Sequence, residues 1–180
     1  MITRAEAEIL LQKYIESESL INHCQMVAKA MQSYAETLNK DHKEIDSWWL
    51  AGLLHDLDWE MFPDEHPNKA INDILPVYDI PENVIQAIRT HAPERTGAEP
   101  KSEIERYLFA SDEISGFMNA VSLMRPNGFS DMKVKSVNKK LKDARFAANV
   151  SREDIRKGAD LINKDLAEHI QFLIEVFRSK

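Results

Sequence analysis

Six side chains in this sequence have the types to hold a cation together: His23, the adjacent pair His55 and Asp56, His66, His91 and Asp112. Imidazole and carboxylate donors suit Fe, Mn, Co, Ni or Zn, and Mg on the carboxylate side, with no cysteine required. Taken singly, each residue has a plain structural explanation. A core histidine satisfied by a hydrogen bond is common, and a lone aspartate caps helices or joins ion pairs. Taken together they do not pack cheaply. An unpaired polar group buried away from water costs on the order of 1–3 kcal/mol, and a lone carboxylate far more. One or two divalent metal ions would offset that cost for all six at once.

The elements that must position these residues read as helices. No run alternates apolar and polar residues for long enough to need a sheet, so the expected fold class is all-α, a helical bundle. Thr3 with Glu6 is a capping box that opens a first helix. A second spans about Ser19 to Leu38. Its apolar stripe of Leu20, His23, Val27, Ala30 or Met31, and Tyr34 advances by threes and fours, which turns His23 inward. A third starts near Asp41 and runs through Trp48, Trp49, Leu53 and Leu54 to the His55–Asp56 pair. After a turn at Pro63 a fourth helix begins around Glu65 to Pro67, places His66 one turn before Ala70, and stops at Pro76. Pro81 opens a fifth, on which His91 continues the stripe Val84, Ala87 and Ile88 before Pro93 ends it.

The stretch PERTGAEP reads as a loop. Ser102 with Glu105 reads as another capping box, opening a sixth helix on which Asp112 follows Leu108 by four. Gly116 predicts a bend or close packing soon after. Pro126-Asn127-Gly128 marks a turn, and shorter helices follow as a C-terminal helical extension, one capped by Ser151 and the last carrying Leu166, Ile170, Phe172, Leu173 and Phe177. His42 and His169, the remaining histidines, are expected to face solvent.

The order His23, then WWLAGLL leading into His55–Asp56, then Asp112 within FASDEISGF, resembles the HD superfamily of metal-dependent phosphohydrolases. The resemblance covers roughly Leu20 to Ser122. It implies one HD domain over 1–180, an HD-domain bundle core at about 20–122 and a helical extension at about 123–180. It implies that His23, the doublet and Asp112 hold a first metal. His66, in DEHPNKAI, and His91, in AIRTHAP, match the branch that binds two metals, where Asp56 would bridge the ions. The implied reaction is hydrolysis of a phosphomonoester or nucleotide by metal-activated water. Leu57-Asp58 follows the doublet in place of Ile-Gly, and no GYP motif follows, which argues against a cyclic-di-GMP phosphodiesterase. Two other readings stand beside this one. Similar HD proteins use two irons and oxygen to oxidise a substrate, and the fold could also serve as a non-catalytic module that binds a nucleotide or phosphate.

Around these ligands, Asp58 and Glu60 are candidates to orient a histidine or to move a proton, and Asp58 joins Asp56 as an expected catalytic residue. Exposed turn carboxylates are the plain alternative. Lys133, Lys135, Lys139, Lys140, Lys142 and Arg145, after Arg125, form a local basic cluster. Arg125, Lys133 and Lys135 are expected to fold over the metal cleft and hold a substrate phosphate, against the alternative of a solvated helix face. Trp59 is a candidate wall of a substrate pocket. Trp48 and Trp49 suit core packing. Cys24 suits a small buried hydrophobe.

The formal net charge of −7 argues against binding a nucleic acid polymer or an anionic membrane surface. A small phosphorylated substrate remains compatible, because a metal reverses the field inside a cleft. The single cysteine allows no intrachain disulfide. The opening MITRAEAEIL is charged where a signal peptide is apolar, and the longest apolar run, Trp48 to Leu54, is far short of a membrane span, so a cytoplasmic location is expected.

Overall fold

Local signals set the first helix boundaries. The Thr3 hydroxyl accepts the Glu6 N–H while the Glu6 carboxylate accepts the Thr3 N–H, the capping box read from the sequence. This computed structural model describes residues 1–178. Among them nine α-helices form and no strand does: α1 (Arg4–Tyr14), α2 (Glu18–Thr37), α3 (His42–Leu54), α4 (Glu82–Thr90), α5 (Pro93–Thr96), α6 (Glu103–Leu123), α7 (Val134–Leu141), α8 (Arg152–Leu161) and α9 (Leu166–Arg178). The fold is an all-α bundle. Asp41 caps α3 through a second capping box with Glu44, and Ser151 caps α8 by accepting the Asp154 N–H.

Helices α2, α3 and α6 form the centre, with α1 and α4 against α3, and α4 also against α6. Their inward stripes supply the core, including Val27, Met31, Leu53, Leu54, Leu108 and Phe117, all at most 1 % exposed. Each large apolar side chain so buried contributes about 1.5–3 kcal/mol relative to exposure. Gly52 lets α3 approach α2 closely: a Cβ there would sit 2.7 Å from the Ala28 backbone. Gly158 does the same for α8 against α6, at Ala110. Beyond α6 the chain folds back. α8 packs on α6, and α9 packs on α2 and α7.

The structure differs from the sequence reading in four places and narrows it in a fifth. The expected fourth helix starts at Asn68, after a cis His66–Pro67 bond, and is irregular: π-helical over Ala70–Ile74, then 3-10 over Leu75–Val77 with Pro76 inside it. Its first turn is diverted because the Ala70 N–H donates to the Asp58 carboxylate at 2.7 Å. The PERTGAEP stretch opens with the single turn α5, where Pro93 presets the first helical φ and Gly97, at φ +70°, ends it. Ser102 makes no cap bond to the helix; its hydroxyl donates to Glu105, which also accepts the Lys101 N–H. The α6 helix runs unbroken through Gly116, whose ideal Cβ position lies 3.7 Å from the His23 ring, so of the expected bend or packing only the packing is seen. His169 is fully buried instead of solvent-facing. Its Nε2–H donates to the Ala110 carbonyl, and its Nδ1 meets the Tyr34 hydroxyl, so it ties α9 to α6 and α2. Burial depresses its pKa to about 4, which keeps the ring neutral.

Candidate metal centre

The six polar side chains singled out by type converge on one place. Two sets of donor atoms form there, each within 4.8 Å: His23, His55 and Asp112 in one, Asp56, His66 and His91 in the other. Asp56 joins them. Its Oδ2 lies 3.6 Å from His23 Nε2 and 3.4 Å from His55 Nε2, while its Oδ1 lies 3.5 Å from His66 Nε2 and 3.7 Å from His91 Nε2. One carboxylate therefore presents a separate oxygen to each set. In the first set Asp112 Oδ1 is 3.0 Å from His23 Nε2 and 3.4 Å from His55 Nε2.

Helix ends aim two of the rings. His55 and His91 are the C-cap residues of α3 and α4, where the last carbonyls lack intrahelical partners. His55 Nδ1–H donates to the Gly52 carbonyl at 2.8 Å, and His91 Nδ1–H donates to the Ile88 carbonyl at 2.6 Å. A carbonyl can only accept, so both rings carry their proton on Nδ1 and point an Nε2 lone pair into the site. His66 is fixed differently. Its Nδ1–H donates to Asp58 Oδ1 at 2.7 Å. Histidine ligands of metals are commonly held this way, by a carbonyl or carboxylate on the far nitrogen.

These orientations make the site costly without a cation. His66 Nε2 and His91 Nε2 face each other at 3.1 Å, and His55 Nε2 and His23 Nε2 at 3.2 Å. With both Nδ1 protons committed, the first pair brings lone pair against lone pair. A cation between them relieves that repulsion, and the neighbouring oxygens add attraction. The field agrees. Burial alone would depress the His55 imidazole, yet the carboxylates of Asp56 and Asp112 outweigh it and hold its pKa well above the ordinary value, so where no metal cation sits its Nε2 attracts a proton instead. Asp56 and Asp112 are in turn held well below the usual carboxylate range, because the histidines overcome the effect of burial. The nitrogen and oxygen donors present fit one or two divalent ions of the first transition row.

A cleft of about 340 Å³ opens over these groups, with Trp59, Arg95, Phe109, Glu113, Asn149 and Asp154 among its other walls. The Arg95 guanidinium lies 4.9 Å over the Trp59 ring and donates to the Pro63 and His66 carbonyls. Trp59 stands edge-on to His66, with ring centroids 4.8 Å apart, so it walls the site. Glu113 accepts the Ser151 N–H at 3.1 Å. Burial, and then the Asp112 charge, push its carboxyl up to about 7. Asn149 and Val150 reach the cleft on a segment held by Arg152, whose guanidinium donates to the carbonyls of Asp143, Phe146, Ala147 and Val150.

Three sequence expectations change here. Asp58 is fully buried with both oxygens occupied, by His66 and by the Ala70 N–H, so of its expected roles it fits that of orienting a histidine, and it has no oxygen left to face substrate as a catalytic residue. Glu60 accepts the N–H groups of Glu16 and Ser17 at the start of α2. Arg125, Lys133 and Lys135 do not line the cleft. Arg125 pairs with Asp131 and donates to Ser136, while Lys133 and Lys135 are exposed at the start of α7, whose apolar face turns to α9 instead. The cation at the cleft is Arg95, four residues after His91 on the next turn. That spacing was present in the sequence, hidden by reading the stretch as loop. Cys24 is buried beside the site, and burial pushes its thiol up to about 12.

A family model described as HD domain matches residues 20–116. No curated protein and no solved structure matches the chain. No helix among the described residues is long and apolar enough to cross a membrane. With the match spanning more than half of its length and both histidine–aspartate sets inside that span, the chain belongs to the HD-domain family, of metal-dependent hydrolase type.

Proposed function

We propose that this protein is a metal-dependent phosphohydrolase that cleaves a small phosphoester with water, using two divalent ions. The observation that carries the reading is Asp56, one carboxylate whose two oxygens serve two separate donor sets. His23, His55, Asp112 and Asp56 Oδ2 would hold one ion, and His66, His91 and Asp56 Oδ1 the other. Bound ions of this kind supply Lewis acidity toward a phosphoryl oxygen and make water a nucleophile near neutral pH.

The chain's own residues do the rest. The Gly52 and Ile88 carbonyls and Asp58 fix three imidazole rings, so the ligand set is assembled before substrate arrives. Arg95, steadied on Trp59, offers the planar donor pair that suits a phosphoryl group at the cleft mouth. Trp59, Phe109 and the segment held by Arg152 wall the cleft around the reacting centre. Asp58 acts through His66 as a positioning residue.

Elemental analysis of freshly purified protein, followed by a phosphate-release screen with the metal found, tests the proposal. The Asp56→Ala variant should lose both ions and all turnover while keeping its helical circular dichroism. Full metal content with full activity in Asp56→Ala would refute it. Oxygen uptake by an iron-loaded sample, with no phosphate released, would favour oxidation instead.

A further inference from the structure

A second space borders the site. His23, Trp59 and Gly116 line the cleft, and the same three residues line a second, more open groove of about 570 Å³. Gly116 borders both beside His23, whose ring lies 3.7 Å from where a Cβ would stand. The rest of the groove wall is Ser17, Ser19, Leu20, Glu60 and Asn119. The Ser17 and Ser19 hydroxyls lie 3.1 Å apart at the start of α2, where Ser17 Oγ also accepts the Leu20 N–H as the N-cap, and the Asn119 side chain has a long 3.5 Å contact from Ser122 Oγ. These groups offer neutral hydrogen bonds.

The charges lining the two spaces are one-sided. Arg95 shares the cleft with the carboxylates of Asp56, Glu94, Asp112 and Asp154, and the groove adds Glu60 with no lysine or arginine. Two divalent ions would balance four of these negative charges. The groove then offers a second anionic group no cationic side chain, and Glu60, seated on the Glu16 and Ser17 N–H groups at the start of α2, repels one.

We propose that the groove seats the leaving group, and that the substrate is a monophosphate ester of an uncharged, hydroxyl-bearing alcohol. This rests on the phosphoester reading above. Water adds to phosphorus, the bond from phosphorus to the alcohol oxygen breaks, one water proton ends on that oxygen, and the other stays on inorganic phosphate. Ser17, Ser19 and Asn119 meet the alcohol's hydroxyls, Trp59 borders both compartments, and Glu60 excludes leaving groups that carry a carboxylate or a further phosphate.

The test uses metal-loaded protein and three probes: glycerol phosphate, 3-phosphoglycerate and pyrophosphate. Phosphoglycerate adds one carboxylate to nearly the same skeleton. Trp59 is 41 % exposed against 3 % for Trp48 and 9 % for Trp49, so acrylamide quenching of tryptophan fluorescence reports chiefly on the junction. Glycerol phosphate should shield Trp59 and bind about tenfold or more tightly than either other probe. Glu60→Gln keeps an oxygen for the Glu16 and Ser17 N–H groups but removes the charge, and should narrow the gap to phosphoglycerate severalfold. Equal binding of all three probes, absence of shielding, or an unchanged gap in Glu60→Gln would each overturn the groove assignment. The stated selectivity without any phosphate release would leave the groove standing and sink hydrolysis alone.

Discussion

Replacing Asp58 by Asn changes almost no volume and should still disable half of the metal centre. Asp58 is fully buried, and its two oxygens accept the His66 Nδ1–H and the Ala70 N–H, each at 2.7 Å. An Asn offers one oxygen and one NH2 group. If the NH2 faces His66, it can be satisfied only when Nδ1 becomes an acceptor, which moves the ring proton to Nε2, the atom aimed at His91 and Asp56. If the NH2 faces Ala70, two donors oppose each other in a buried place. Either arrangement forfeits a charge-assisted bond, and the cost to folding should be about 2–3 kcal/mol. Loss of such a partner behind a metal-bound histidine typically weakens the metal about 10–100-fold. Calorimetric titration of metal-free protein should therefore show two binding steps in the parent. In Asp58→Asn the step belonging to Asp56, His66 and His91 should be weakened by that factor, with the other nearly intact. Urea unfolding would read the stability loss in parallel. Two unchanged binding steps in a folded Asp58→Asn protein would refute both the positioning role and the division of the site into two sets.

Three further outcomes are expected. Gly52→Ala would drive a Cβ to 2.7 Å from the Ala28 backbone, and backbone cannot swing aside, so urea unfolding should show a loss of about 3 kcal/mol or more. His169 is neutral in the fold with its pKa depressed to about 4 from 6.5, so the unfolded chain binds its proton first. Its contribution is complete above pH 6.5 and is lost as pH falls toward 4, by about 3 kcal/mol in all; unfolding curves of the parent should show this fall and those of His169→Gln should lack it. Arg95→Ala should raise KM for a phosphate ester about tenfold with metal content unchanged, and Arg95→Lys should restore only part, because the ammonium lacks the planar donor pair.

What could be read in advance depended on the range of the interaction that places each residue. His23 and Asp112 sit on long helices where steps of three and four fix the inward face, and α2 and α6 obey that period. His55 and His91 follow apolar stripes into C-cap positions, where the helix's own carbonyls settle the rings. His169 obeyed the same rule and was misread: it lies three residues after Leu166 and four before Leu173, on the stripe that α9 buries. Glu168 and Asp165 beside it are polar, but hydropathy near a residue does not say which face it occupies.

The basic cluster failed for the complementary reason. Val134, Val137 and Leu141 pack into the core, so the helix period sends Lys135 outward whatever its charge might attract. Arg95 was legible only as a spacing of four after His91. A one-turn helix has no period to read, and its direction is set by contacts with Trp59, Pro63 and His66, some thirty residues earlier in the chain. The same division explains the two donor sets. Periodicity brings His23, His55, His91 and Asp112 to the centre of the bundle, but Asp56 and His66 lie in the irregular turns after α3, where the buried bond from His66 to Asp58 helps the second set close around Asp56.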